Sequence, residues 1–384
     1  MLTGQNGILN RAAEAKEKTE EAQKQENETL NDYEKTFNKY MSNLPSTEYT
    51  IPYLPDTNKF ERVDGTDLST GLVIKEKATG SEYVWVEVPK TREVYKNAGL
   101  DISTFGENEC NLIEKDLQDY TSEYRTQTNF KDEFFEDTSE GWFKNANEYN
   151  EAKYKMLKSV YENGGFWVGR YESGIEKNRT EPGEAVSIPL SKENIYPYNY
   201  ITRTQAKVLS EKVESGSYMS SLLFGIQWDL IMCFIHNRGN VENEVINGVE
   251  KSKLIGNYVD NLYNINNEKA KYSLDLGQTF SKCPFEKKMN SSVLLTTGAN
   301  ESFSQVNLYD VAGNVFEWTL ENNNDNKSSC AYRGGNYINI GGNFSASSRN
   351  SFSINSSFDG VGFRVSIYWC LGFIIVNDYL CIIR

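Results

Sequence analysis

The chain has 384 residues with 24 Tyr and 19 Phe, enough to bury a large core and to indicate a folded, aromatic-rich, β-containing protein. A formal net charge of −14 opposes nucleic-acid binding, since phosphate contacts need a basic surface; it is compatible with cation binding and equally with a plain acidic surface. One histidine, His236, and six scattered cysteines (Cys110, Cys233, Cys283, Cys330, Cys370, Cys381) with no C-x-x-C pair argue against zinc or iron centres and against His-dependent nucleophilic catalysis.

Residues 1–44 are rich in Ala, Glu, Lys and Gln. Ile8, Ala12, Ala15, Ala22, Tyr33, Phe37 and Tyr40 recur at three- and four-residue steps, which predicts a separate N-terminal helix. Pro45, Pro52 and Pro55 then mark a linker over 45–70. "GLVIKEKATGSEYVWVEV" (71–88) reads as two strands around a turn, and 91–150 as a polar, irregular insertion. A helix is expected over 146–162, closed by Gly164-Gly165. "FWVGRYESG" (166–174) reads as a strand, and Thr202 with Gln205 as a capping box opening the next helix. "SSLLFGIQWDLIMCFI" (220–235) reads as an apolar core helix with His236 near its C-terminus. Asn-rich loops fill 237–270, and from 293 to 368 short strands alternate with Gly/Asn/Ser loops, with no helix signal. The tail 369–384 is an apolar C-terminal extension broken by Asn377-Asp378. No signal peptide is visible at Met1, and no stretch is long enough to span a bilayer.

"NLYDVAGNVFEWT" (307–319) stands out. It sets Asp310, Asn314 and Glu317 among residues that belong in a core, and an unpaired buried carboxylate is costly. Either a hard cation or a basic side chain must satisfy those oxygens.

Taken in order, "GFWVGRYESG", "PYNYITRTQA", "FGIQWDL", "NLYDVAGNVFEWT", "RGGNY" and "GFRV" resemble the landmarks of the formylglycine-generating enzyme / sulfatase-modifying factor domain over about residues 71–368. The resemblance implies an α+β, C-type-lectin-like fold with a small antiparallel sheet and long loops. It also implies a structural Ca²⁺ site formed by the side chains of Asp310 and Glu317 and the carbonyls of Gly313 and Val315, oxygen ligands that suit a hard cation. The alternative is that Asp310 and Asn314 cap turns while Glu317 pairs with Arg333 or Arg364. The family's two copper-holding cysteines fall on Asn339 and Phe344, neither of which binds Cu(I), so no copper and no formylglycine chemistry are expected. Cys283 and Cys330 are the only candidates for an oxidoreductase reading.

The stretch "NYINIGGNFSASSRNSFSINSSFDGV" (336–361) lacks Lys, Glu, Gln, Met and Trp, the five residues that no pyrimidine-ending codon encodes. It resembles the variable region of a diversity-generating retroelement target protein; the composition is also that of an ordinary polar loop. On the first reading, Tyr337, Asn339, Asn343, Phe344, Asn350, Phe352 and Asn355 form a ligand face for a protein or glycan. The glycan-binding triplets E-P-N and Q-P-D are absent; "EPG" at 181–183 is a poor substitute.

"MLTGQNGILNRAAEAKEKTEEAQKQE" is similar to the segment after the membrane anchor of type IV pilin-like proteins, although a generic soluble helix has the same composition. The first reading implies an anchor ahead of Met1 and a place at the cell surface or outside the cell; a true start at Met1 implies a cytoplasmic protein. The expectation is a non-catalytic ligand-binding protein with a lectin-like head. The alternatives are a formylglycine-generating-type oxidoreductase and a structural pilin-like subunit.

Overall fold

The computed structural model describes residues 55–369 apart from 185, 214–217, 249–250 and 325–328, together with Lys24 and the backbone of 375–376 and 379–380. The chain divides into two compact units, Met1–Tyr49 and Thr50–Arg384, and the account below concerns the second. The N-terminal helix read over 1–44 and the extension read over 369–384 lie outside the described residues, apart from the positions just named.

In chain order, the strands that frame the site are β1 (Phe60–Arg62), β2 (Val73–Glu76), β3 (Glu82–Glu87), β4 (Phe130–Lys131), β5 (Gly165–Gly169), β6 (Tyr218–Leu222), β7 (Phe316–Asn323), β8 (Cys330–Arg333), β9 (Arg349–Phe352), β10 (Val361–Phe363) and β11 (Val365–Trp369). One sheet runs β1-β2-β3-β5-β11-β6, antiparallel throughout. A second runs β9-β8-β7-β10, with β7 and β10 parallel and β4 paired to the far end of β7. Smaller two- and three-stranded antiparallel sheets pin the loops between residues 174 and 309. The architecture is mixed α+β.

The β2–β3 hairpin forms where expected, and Trp85 meets Trp167 of β5 edge-on at 5.1 Å, both fully buried. Phe60–Arg62, read as linker, is instead the edge strand of that sheet, and Phe60 is buried against Tyr83. The segment 91–150 is likewise more than an irregular insertion. It contains helix α1 (Glu107–Tyr120), which buries Cys110, Ile113 and Leu117 in the main core. Its exposed face is almost wholly polar, which hid the stripe.

Helix α2 (Ala146–Asn163) starts where the Asn145 side chain accepts the Glu148 amide at 3.0 Å and stops at Gly164, left-handed at φ 70°. Helix α3 (Arg203–Ser210) opens on the expected box: Thr202 and Gln205 each accept the other's backbone N–H, at 3.2 and 3.0 Å. The apolar run at 220–235 divides in two. Tyr218–Leu222 is strand β6, and helix α4 spans Gly225–Gly239. A uniformly apolar run has no periodicity to separate the two states, and every residue of α4 from Gly225 to Ile235 is buried. His236 sits in its last turn, with Nδ1 2.8 Å from the Val241 carbonyl. Among the described residues no helix is long and apolar enough to cross a membrane.

Candidate functional site

The loop 310–315 makes a tight bend leading into β7. Asp310, Gly313 and Asn314 all have positive φ, at 56°, 74° and 54°. Gly313 is obligatory, because a Cβ there would lie 2.1 Å from the Asn257 carbonyl oxygen. Asn314 clasps the bend. Its side-chain oxygen accepts from Asn257 Nδ2 (3.0 Å) and the Leu295 amide (3.1 Å), and its amide group donates to Glu172.

Asp310 and Glu317 are both fully buried, and each has a protein partner. Asp310 Oδ2 accepts the Gly298 amide at 2.7 Å. Glu317 takes a two-pronged ion pair from Arg364: Nη2 to Oε1 at 2.7 Å and Nε to Oε2 at 3.0 Å. Arg364 also donates to the Gly169 and Tyr309 carbonyls, both at 2.8 Å, so one guanidinium joins β5, the bend and β7. Trp318 lies beneath, fully buried, with its indole N–H on the Ile201 carbonyl at 2.9 Å. Of the two arginines considered for Glu317, Arg364 is the partner; Arg333 serves Asp229 and Glu321.

A third carboxylate, Glu172, completes this cluster. It is fully buried, and its Oε2 has no hydrogen-bond partner among the described residues. Desolvation, then the charges of Asp310 and Glu317, push its pKa far above the usual range. Burial raises Asp310 to about 6 and also raises Glu317, the latter against the pull of Arg364. Three carboxyls thus share one guanidinium. Glu172 was missed in the sequence, although an acid within "FWVGRYESG" among aromatic residues carries the same signal that drew attention to 307–319.

The 336–361 segment divides into supports and exposed positions. Tyr337 is fully buried with its hydroxyl on Asp359, so it props the segment rather than presenting a surface. Asn339 is half-buried, its backbone and side-chain N–H groups on Asn336 Oδ1. Phe344 is half-buried against Phe316, and Phe352 stacks on Tyr332 at 4.5 Å while meeting Phe358 edge-on. Asn350, half-buried, pairs with Tyr332 in the sheet. Asn343 and Asn355 are exposed, as are Ile338 (40%) and Ile340 (50%).

Beneath these loops lies a buried ionic network. Asp229 of α4 receives Arg333 (2.8 Å), Arg349 and Arg125; Glu321 receives Arg349 Nε (2.9 Å) and Arg333 (3.4 Å). Burial alone would raise the Asp229 carboxyl, but the surrounding guanidiniums hold it below its usual value. Burial lowers Arg333 to about 10. Arg349 lies inside the compositionally odd segment, yet it is fixed in this network and cannot vary freely.

Cys110, Cys233, Cys283 and Cys330 are buried free thiols, all raised in pKa by burial. Thiols in that state are poor nucleophiles.

Residues 255–367 match the family model described as the sulfatase-modifying factor enzyme 1-like domain. That span holds the 310–318 bend, the R-G-G turn and the G-F-R strand end, so this part of the chain is similar to the domain of the formylglycine-generating-enzyme/sulfatase type. Solved structures that it resembles include CarF (14% identity, 53% of this chain and 86% of that one, TM-score 0.30). PvdO from Pseudomonas aeruginosa matches at 12% identity, over 54% of this chain and 81% of that one, with a TM-score of 0.31. Treponema denticola variable protein 1 matches at 13% identity, over 53% and 85%, with a TM-score of 0.29. No curated protein matches the chain.

Proposed function

We propose that this domain is a non-catalytic ligand-binding member of its type, presenting a surface from the loops at 338–344 and 353–357. One observation carries the reading: the segment is anchored at both ends and at its centre by buried groups, while Ile338, Ile340, Asn343, Ser353 and Asn355 between them are exposed. Asn336 donates to the Gly360 carbonyl at 3.3 Å, Tyr337 bonds Asp359, and Arg349 is locked at the centre. Ile338, Ile340, Asn343 and Asn355 project from this frame, an apolar and amide mixture typical of recognition surfaces on rigid scaffolds. Asn339, Phe344, Asn350 and Phe352 form its half-buried floor. The codon-restricted composition of 336–361 supports a diversified surface, with variation confined to the outward positions.

The test has two arms. Related copies of the gene should differ more at 338–344 and 353–357 than in β7, β8 and β11; equal variation would remove the diversification reading. A chain carrying Ala at 338, 340, 343 and 355 should keep its melting temperature and lose binding to whatever glycan or protein array feature the parent retains. Unchanged binding would refute the surface.

The same reading includes a structural Ca²⁺ held by the Asp310 and Glu317 side chains with the Gly313 and Val315 carbonyls. Its support is electrostatic: three buried carboxyls face one guanidinium, and a divalent cation would balance them. Among the described residues no three His, Cys, Asp or Glu side chains are grouped to hold a metal, so the backbone carbonyls would be essential ligands. Calcium should raise the melting temperature, chelator should lower it, and Asp310→Ala should abolish the difference.

A further inference from the structure

Away from the surface just described, a cavity of about 500 Å³ opens between α1, the 125–133 segment and Lys153 of α2. The volume is that of a small-molecule site. Its wall is almost wholly polar: Asn111, Gln118, Gln127 and Thr128 supply amides and a hydroxyl, and Phe130 is the one apolar member. The charges in the wall are largely matched by neighbours. Lys153 Nζ bonds Glu114 at 2.7 Å and the Asp132 carbonyl at 2.9 Å. Lys115 pairs with Asp119 at 2.7 Å, and Lys131 lies 3.7 Å from Glu133. The Asp132 carboxylate accepts the first two amides of α4, from Gly225 and Ile226, at 2.7 and 2.8 Å.

Arg125 breaks this balance. One of its Nη atoms is tied to Asp229, while its Nε and other Nη make no hydrogen bond among the described residues. It is the guanidinium of the buried network that lines the cavity. That network sets three guanidiniums (Arg125, Arg333, Arg349) against two carboxylates (Asp229, Glu321), with the buried Asp132 carboxyl of the cavity wall a further acidic neighbour of Arg125, so the attraction for an anion rests on the unused donors of Arg125. An anchored guanidinium with free donors fits a planar carboxylate in two-pronged fashion.

The rest of the wall chooses among anions. Glu114 and Glu133 would repel a phosphate dianion but accept hydroxyl donors, and the amides serve hydroxyls in both senses. The geometry points to a binding site for a polyhydroxylated monocarboxylic acid of the uronic-acid type: its carboxylate on Arg125, its hydroxyls on Gln118, Gln127, Thr128 and the wall carboxylates. The ligand is a free sugar acid or the terminal residue of an acidic glycan, which share this chemistry.

Isothermal titration of the full chain with glucuronate, glucose, acetate and inorganic phosphate tests the site. Glucuronate should bind about tenfold or more tighter than each of the other three, since only it meets both the guanidinium and the hydroxyl partners. Arg125→Lys, which keeps the charge and removes the fork, should weaken it by a similar factor. Thr128→Trp, at an exposed wall position, fills the cavity and should abolish binding without lowering the melting temperature; it carries the test if the Arg125 variant folds poorly. The methyl glycoside separates the two sources: retained binding indicates a glycan terminus, lost binding the free acid. Absence of heat with glucuronate, equal binding of glucose or phosphate, or undiminished binding in Thr128→Trp would overturn the proposal. The 338–357 surface plays no part in these measurements, so either reading can fail alone.

Discussion

Replacing Arg364 by methionine tests whether this guanidinium holds the bend together. The change strips Glu317 of its ion pair and leaves the Gly169 and Tyr309 carbonyls without a donor. Removing one partner of a buried pair costs about 3–5 kcal/mol, and each abandoned buried acceptor about 1–3 kcal/mol. Protonation of Glu317 limits the total, so we expect a loss of about 4 kcal/mol at neutral pH in urea unfolding. The sign with pH follows from Glu317. Its folded pKa, already raised by burial, climbs further without Arg364. A group shifted upward gives its full stability below its unfolded pKa, 4.5 for this residue, and loses it as pH rises through the folded value. The deficit of the variant should therefore shrink on acidification toward pH 4.5. The double variant Glu317→Leu/Arg364→Met removes the stranded charge and should recover about 2–3 kcal/mol, since well-packed apolar residues replace buried pairs at little cost. A double variant no more stable than Arg364→Met, or a single variant within about 0.5 kcal/mol of the parent, would refute the account.

Glu172→Gln should stabilise the calcium-free protein at pH 8 by about 1–2 kcal/mol, because it replaces an acid whose charged form burial and the neighbouring carboxylates disfavour. It should also flatten the decline of stability with rising pH between 4.5 and 8; an unchanged slope in urea titrations would contradict this. Gly313→Ala forces a side chain into φ 74° against the Asn257 carbonyl and should cost about 3 kcal/mol or more, read as a lower melting temperature. Ile338→Ser and Asn355→Ala should each change unfolding free energy by less than about 0.5 kcal/mol, as expected for outward positions.

Local signals were read well from sequence. The Thr202–Gln205 box, the Gly164 stop and the β2–β3 hairpin depend on residues a few positions apart, and each appears where its residues placed it. The division of 220–235 into β6 and the start of α4 was hidden, because both are buried on every side. Long-range ionic partners were also hidden. Arg125 meets Asp229 across 104 residues, and Glu317 meets Arg364 across 47. The bend at 310–317 was legible as a place where buried oxygens need a partner; which of two arginines supplies one of them required the fold. Tyr337 was read as surface because aromatic residues in Asn- and Ser-rich loops often serve recognition, yet its ring fills the space beside Leu294 and Val315.

The position of β11 bears on how the protein is made. It lies inside the six-stranded sheet, between β5 and the edge strand β6, although it is the last of these strands to leave the ribosome. Until residues 365–369 emerge, β5 and β6 have a gap between them and the buried tryptophans of β3 and β5 lack part of their cover. Arg364, immediately before that strand, brings the partner of Glu317 at the same moment. Closure of this sheet between β5 and β6 therefore waits until residues 365–369 have been made, and the facing edges of those two strands stay unpaired until then.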